Sequence, residues 1–187
     1  APDADTEKVI PVIVNAKTDK ISGCNALDKI IIDVNHPQFK EVARKIESEL
    51  SKYEIHLMAS VDLLEVLDTT TKINNQSVWR EEFLAKKAAM GTVDGLDHAI
   101  DFINNYSGGH SNIILTENTE DASTFMEQVD SAAVYHNAST RFTDGGQMGV
   151  GAELAISTDK LHHRGPLGLK QLVTNKYYIL GNGQVRT

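Results

Sequence analysis

Short β-branched runs alternate with segments of helical spacing, and this alternation most constrains the fold. The run "KIIIDV" at 29–34 is typical of a buried strand. Pro37 then stands where a helix can begin, and the apolar residues after it recur three or four positions apart, which predicts one face of a helix: Phe39, Val42, Ile46 and Leu50.

The same patterns continue along the chain. They predict further strands at 54–59, 112–116, 132–137 and 176–180, and helices at 6–17, 61–67, 95–109 and 118–129. Such alternation predicts an α/β fold with a mostly parallel sheet flanked by helices. In these sheets the working loops lie beyond the carboxyl ends of strands. The loop at 139–151 follows a predicted strand and is therefore the first candidate for a functional site. The linker that carries Cys24 precedes a strand, so it would have to cross the sheet to reach the carboxyl ends of the strands.

The composition excludes several classes of function. With 187 residues, the chain can fill one core but is short for two full domains. A net charge of -8 argues against an extended nucleic-acid surface. No apolar stretch approaches the roughly 20 residues of a membrane span, and the acidic start does not resemble a secretory signal. A single cysteine, Cys24, suits a reducing compartment, so we expect a cytoplasmic protein without nucleic-acid or membrane partners.

Three features could carry chemistry, and each also has a plainer interpretation. A lone cysteine such as Cys24 is often an inert, buried side chain. The seven histidines, including the adjacent His162 and His163, lack the spacing of metal ligands, so we expect no metal. Four glycines could bring a backbone close to an anion or could simply form a flexible loop: Gly145, Gly146, Gly149 and Gly151. The lysine that follows the glycines of a P-loop is missing, so the stretch is not a P-loop.

A series of stretches in a fixed order narrows these alternatives. They are "VNAKT", "CNAL", "WREEFLAKK", "GLDHAIDFINNYSGGHSNIILTEN", "NASTRFTDGGQMGVGAELAIST" and "KLHHRGPLGLKQL". Together they resemble the γ-glutamyl phosphate reductase family, a branch of the aldehyde dehydrogenase superfamily. Two positions depart from the family's pattern: "DKISG" replaces its usual approach to the cysteine, and Asp28 stands where a glutamate is expected after "CNA".

The resemblance implies how the chain is organised. Residues 1–174 would form an aldehyde-dehydrogenase-like catalytic domain bearing the cysteine, and 175–187 a C-terminal strand or tail. The family's full chain begins with a Rossmann-type dinucleotide-binding domain. Nothing in this sequence matches that domain, so we expect it to be absent from this chain. The tail is implied to make contacts in a homo-oligomer, a dimer or a tetramer.

The resemblance also implies an activity, the reduction of L-glutamyl 5-phosphate by NADPH to the semialdehyde in proline biosynthesis. Cys24 would displace phosphate from this small-molecule acyl phosphate and form a thioester. Only a small fraction of an ordinary thiol is ionised near neutral pH, and Lys17 and Lys20 are candidates for raising that fraction. Two other classes stay open: a coenzyme-A-linked aldehyde dehydrogenase and a non-catalytic module that retains the fold.

The matched motifs imply roles for particular residues. Cys24 would be the nucleophile, and Asn25 would shape the turn whose amide stabilises an oxyanion. Glu82, with Phe83 beside it, would hold the nicotinamide ribose, although a solvated helix end is the plainer interpretation. Five residues would bind the substrate: Ser139, Thr140, Arg141, Gly145 and Gly146. His162 and Arg164 could contact its phosphate or could be structural.

Overall fold

A computed structural model describes residues 1–68, 71–160 and 162–187 of the chain. The strands of this part are β1 (Lys29–Asp33), β2 (His56–Ala59), β3 (Thr71–Lys72), β4 (Lys87–Val93), β5 (Ser111–Ile114), β6 (Ala133–His136), β7 (Ala155–Ser157) and β8 (Gly165–Leu167). The α-helices are α1 (Thr6–Thr18), α2 (Phe39–Ser51), α3 (Leu96–Tyr106) and α4 (Thr119–Gln128). None of the described helices is long and apolar enough to cross a membrane.

Parallel pairing dominates the strands. One sheet has the order β1-β4-β2-β3 and is parallel throughout. β5 pairs with β6 in parallel, and among the described strands only β7 and β8 form an antiparallel pair. Parallel neighbours need long connections: α2 lies in the connection between β1 and β4, and α4 lies in the one between β5 and β6. The predicted α/β fold with mostly parallel strands and flanking helices is confirmed.

The helices pack as their sequences predict, although α2 begins at Phe39, two residues after the predicted start at Pro37. Asn118 caps α4 by accepting hydrogen bonds from the amides of Glu120 and Asp121. In α2 the predicted apolar face is buried, with Ile46 and Leu50 fully enclosed. This face joins apolar residues of α1, β1, β2 and β4 in the largest core cluster. Burial of such side chains contributes about 1.5–3 kcal/mol each, so this cluster holds the sheet and its helices together.

Several predicted elements were wrong or missing. β4, the central strand, escaped prediction because its Ala88, Ala89 and Gly91 are poor strand formers; they are accepted there because the strand is buried. A Cβ on Gly91 would come within 2.7 Å of Trp79, so only glycine fits beneath that ring. The strand predicted at 176–180 is irregular, with Leu180 97% exposed, because no described strand pairs with it. The helix predicted at 61–67 shrinks to a 3-10 turn at Val61–Leu63.

Candidate active site

Cys24 lies in a tight turn between α1 and β1. The turn is closed by hydrogen bonds from the amide of Gly23 to the carbonyl of Lys20, at 3.0 Å, and from the amide of Ala26 to the carbonyl of Gly23, at 2.9 Å. The Cys24 side chain is exposed. The sequence alone left open an inert, buried cysteine; the structure instead presents the thiol to solvent at the amino end of β1.

Asn25 joins this turn to the loop predicted to bind substrate. Its buried side chain donates from Nδ2 to the carbonyl of Thr143 at 2.8 Å and, more weakly, to the carbonyl of Arg141 at 3.4 Å. Thr140 Oγ1 donates back to the carbonyl of Asn25 at 2.7 Å. Three hydrogen bonds therefore fix the cysteine turn against the 3-10 turn at Thr140–Phe142.

The loop after β6 reaches Cys24 by running back along the sheet. Just after β6, Asn137 binds Thr116, which follows β5. Further on, Thr143 Oγ1 lies 2.7 Å from Ser111 Oγ, at the start of β5, and 2.7 Å from the hydroxyl of Tyr135. The expectation of a site at the carboxyl ends of the strands is therefore wrong. The loop returns to the amino ends of β1 and β5, and the Cys24 linker has no need to cross the sheet.

Arg141 is held flat against the cysteine turn. Its Nε donates to Asp19 Oδ2 at 2.9 Å, which anchors the guanidinium to the end of α1. A Cβ on Gly23 would lie only 2.9 Å from Arg141 Nη1, so the glycine before Cys24 makes room for this cation. Ser139 caps the turn by accepting from the Arg141 amide at 3.3 Å. The guanidinium and the thiol therefore belong to one local surface.

The glycines predicted in the loop have different roles. A Cβ on Gly145 would come within 2.7 Å of the Glu153 Cβ, so only glycine allows the loop to fold back on itself there. Gly146 is exposed, and its amide donates to Asp144 Oδ1 at 2.9 Å. The close return of the loop brings Glu153 toward Cys24. Sequence reasoning missed Glu153, although a carboxylate after a glycine-rich loop could have drawn attention to it.

Electrostatics near the thiol oppose its ionisation. Desolvation by the surrounding protein raises the pKa of Cys24, and the negative charges of Glu153 and then Glu82 raise it further. The prediction that Lys17 raises the thiolate fraction was wrong, because its buried ammonium pairs with Asp28 Oδ1 at 3.2 Å. Burial also lowers the pKa of Lys17 itself.

Glu82 and Phe83 lie in a segment tied to the residues that follow the cysteine turn. Asp28 Oδ2 accepts from the Phe83 amide at 3.0 Å, and Lys29 Nζ lies 3.8 Å from the centre of the Phe83 ring. Lys29 Nζ also donates to the carbonyl of Glu81 at 2.5 Å. Phe83 is buried and Glu82 is exposed, so the carboxylate is presented on a fixed backbone and is not part of a helix.

His162 and Arg164 lie in a different environment. Arg164 Nη1 donates to Asp130 Oδ1 at 2.6 Å, and its Nη2 lies 3.2 Å from where a Cβ on Gly109 would be. His162 is exposed. In the described part of the chain, no hydrogen bond or ion pair joins either residue to the cysteine turn, and no group of three or more potential metal ligands occurs there.

A cavity of about 690 Å³ opens beside the cysteine turn and extends along β1. Its wall includes residues from each part of the candidate site: Cys24, Asn25, Glu82 and Thr140. Ser111 and His110, from the start of β5, line it as well. Cys24, part of the loop predicted to bind substrate, and the carboxylate predicted to hold a ribose therefore share one cavity that can admit a small molecule.

No protein-family model matches the chain, but solved structures identify its fold. The chain resembles succinic semialdehyde dehydrogenase from Streptococcus pyogenes, solved in complex with NADP⁺ as the cofactor, with a TM-score of 0.54 and 13% identity over 73% of this chain and 39% of that one. That likeness concerns the fold alone. The architecture, with its cysteine turn before a parallel strand, is an aldehyde-dehydrogenase-like fold.

Two further relatives are more specific. The crystal structure of gamma-glutamyl phosphate reductase from Thermotoga maritima matches with a TM-score of 0.89 and 42% identity, over 99% of this chain and 44% of that one. Gamma-glutamyl phosphate reductase from Dictyoglomus turgidum is 44% identical over 184 residues, which are 98% of this chain and 44% of the relative. The chain is thus a homologue of the gamma-glutamyl phosphate reductases, and it spans less than half of their length.

Proposed function

We propose that this chain carries the thioester-forming portion of an NADPH-dependent reductase that converts L-glutamyl 5-phosphate to L-glutamate 5-semialdehyde in proline biosynthesis. One observation carries the proposal: Asn25 bonds the exposed Cys24 turn directly to the loop that holds Arg141. A nucleophile and a cation for an anionic substrate are thereby fixed in one place. Residues 1–174 would be the catalytic domain, with 175–187 as its tail.

The chemistry follows from the thiol. The Cys24 thiolate attacks the acyl carbonyl, a carbon–sulfur bond forms, and the carbon–oxygen bond to phosphate breaks, so phosphate leaves with the electron pair. The thiol proton passes to solvent or to a nearby carboxylate, for which Glu153 lies on the same loop surface. The backbone amide of Cys24 would donate to the carbonyl oxygen as it becomes negative. After reduction of the thioester, the hemithioacetal releases aldehyde and restores the thiol.

NADPH would supply the hydride for that reduction. Glu82 suits the ribose end of such a cofactor because its exposed carboxylate can accept from two hydroxyls. The backbone is held on both sides of Glu82, because Asp28 accepts from the Phe83 amide and Lys29 donates to the carbonyl of Glu81. The residues present therefore fit the ribose portion of the group.

Arg141 would bind the substrate's amino-acid end. Asp19 holds its Nε, which leaves the Nη groups to face a carboxylate. Ser139 and Thr140 are used to build the turn, so they would position Arg141 more than contact the substrate themselves. The phosphate role of His162 and Arg164 stays a prediction; Arg164 would first have to exchange its contact with Asp130.

Protection of the only cysteine tests this assignment. We expect L-glutamate to slow the alkylation of Cys24 by iodoacetamide, because a ligand on Arg141 covers the thiol beside it. In Arg141→Lys the protection should disappear, since lysine cannot form the bidentate contact. Arg186→Lys, in the exposed tail, is the matched control and should keep full protection. Equal protection of all three proteins would show that Arg141 does not bind this ligand.

A further inference from the structure

Asp28 uses both of its carboxylate oxygens to connect three segments. Oδ1 binds the ammonium of Lys17, at the end of α1, at 3.2 Å. Oδ2 accepts from the Phe83 amide at 3.0 Å. Asp28 itself lies four residues after Cys24 and immediately before β1. One side chain thus joins the helix before the nucleophile, the turn that carries it and the segment that carries Glu82.

The environment makes this connection rigid. The Lys17 side chain is fully buried and that of Asp28 is only 17% exposed, so water cannot readily replace either contact. An amide bound to a carboxylate makes one of the stronger hydrogen bonds found in proteins. On the other side of Glu82, Lys29 Nζ donates to the carbonyl of Glu81 at 2.5 Å, and it also lies 3.8 Å from the centre of the Phe83 ring. The backbone on both sides of Glu82 is therefore held relative to the cysteine turn.

Glu82 has no such support of its own. Its side chain is exposed, and the residues around it form neither helix nor strand. An exposed carboxylate on an irregular segment would otherwise sample many positions. Its charge still acts on the Cys24 thiol, together with that of Glu153 from the glycine-rich loop. The cation on the same surface, Arg141, is paired with Asp19.

We propose that Asp28 is a positioning residue that fixes the distance between the reacting sulfur of Cys24 and the carboxylate of Glu82. This inference rests on the proposed function, in which Glu82 orients the cofactor's ribose beside the thioester.

The experiment is a double-mutant cycle read through the only thiol in the chain. The initial rate of iodoacetamide alkylation is measured against pH for the unaltered chain, Glu82→Gln, Asp28→Ala and the double variant. Glu82→Gln should raise the rate at pH 7 by about threefold, because removing a negative charge lowers the thiol pKa and leaves more thiolate. Asp28→Ala should raise the alkylation rate by the same factor, because the segment that carries Glu82 is released. The double variant should react no faster than either single variant.

Matched variants separate positioning from a direct charge effect. Glu153→Gln acts from a different loop, so its effect should multiply with that of Asp28→Ala. Asp28→Glu should restore the original profile, because it keeps the charge and both acceptors. Where circular dichroism shows that Asp28→Ala is unfolded, Asp28→Asn replaces it in the same cycle.

An unchanged profile in the Asp28 variants, or an effect that multiplies with that of Glu82→Gln, would overturn the inference. Neither result bears on whether Cys24 accepts an acyl group from an acyl phosphate. If Asp28→Ala still accepts the acyl group and its rate effect multiplies with that of Glu82→Gln, Asp28 has no positioning role. The proposed function would then remain supported. If the unaltered chain accepts no acyl group, the proposed function is refuted. The alkylation rates of the double-mutant cycle would still test whether Asp28 positions Glu82.

Discussion

Asn25 Nδ2 donates to the carbonyl of Thr143 across 2.8 Å, and this buried hydrogen bond joins residues 118 positions apart in the chain. Thr143 is in turn fixed by Ser111 and Tyr135, which bind its hydroxyl. The cysteine turn is therefore attached to a loop that is itself anchored to β5 and β6. The position of Cys24 is therefore coupled to that of the loop carrying Arg141.

Replacing Asn25 with alanine should destabilise the fold by about 1–3 kcal/mol, because the buried carbonyl of Thr143 loses its donor. Urea unfolding followed by circular dichroism measures the change in the free energy of unfolding. Asn105→Ala, at an exposed position of α3, is the control and should stay within about 0.5 kcal/mol of the unaltered chain. A change of that small size for Asn25→Ala would mean that the turn and the loop are held together by other contacts.

The alkylation rate of Cys24 should report the charge of Glu153. Thiolate is the reactive form, and a raised pKa leaves less of it at any pH below that pKa. Neutralising the carboxylate in Glu153→Gln lowers the thiol pKa, so the rate at pH 7 should rise by up to about tenfold. At a pH well above both pKa values the two proteins should react equally. A profile that does not move would place Glu153 too far from the sulfur to matter.

The Lys17–Asp28 pair should contribute strongly to stability. Lys17→Met removes a fully buried ammonium and leaves the Asp28 carboxylate, 17% exposed, without its cation. Breaking buried pairs costs about 3–5 kcal/mol, and we expect the lower end because Asp28 keeps some contact with water. Chemical denaturation measures the loss. The exposed pair of Lys8 and Glu117 provides the control, since Lys8→Met should change little. Equal losses of stability in the two variants would show that the buried Lys17–Asp28 pair stabilises the fold no more than an exposed pair does.

The tail after residue 174 should mediate association between copies of the chain. Its apolar side chains face solvent, with Tyr177 83% and Ile179 90% exposed, and no described strand pairs with it. Exposed apolar runs of this kind mark interaction surfaces. Sedimentation should show an oligomer for the full chain and a monomer for a variant ending at Thr174, with the same thermal midpoint. A monomer in both cases would reject the tail as an oligomer contact.

Local patterns in the sequence predicted much of the fold. The apolar spacing gave the buried face of α2, and Asn118 gave the start of α4. β4 was missed because the burial of its alanines comes from the neighbouring strands β1 and β2, which no local window contains. The strand predicted at 176–180 failed for the converse reason, since strand-forming residues need a partner strand to pair with.

The candidate site shows the same limit. Two matched motifs implied roles for these residues, "CNAL" for Cys24 and Asn25 and "NASTRF" for Arg141. The structure brings the three residues together. Lys17 was taken as a cation for the thiol because it is near in sequence, but a buried ammonium takes the nearest carboxylate, Asp28. Glu153 escaped notice because only the folded loop carries it toward Cys24.

Acyl transfer to Cys24 tests the central claim most directly. Glutaryl phosphate, which lacks the amino group that would let a glutamyl phosphate cyclise, is mixed with the chain, and the intact mass is recorded with Cys24→Ser as the control. We expect one glutaryl group on the unaltered chain, removed by neutral hydroxylamine as a thioester, and none on the variant. Arg141→Lys should slow this reaction but not the slower one with acetyl phosphate, which has no distal carboxylate. No adduct on the unaltered chain, or an equal adduct on Cys24→Ser, would contradict the account.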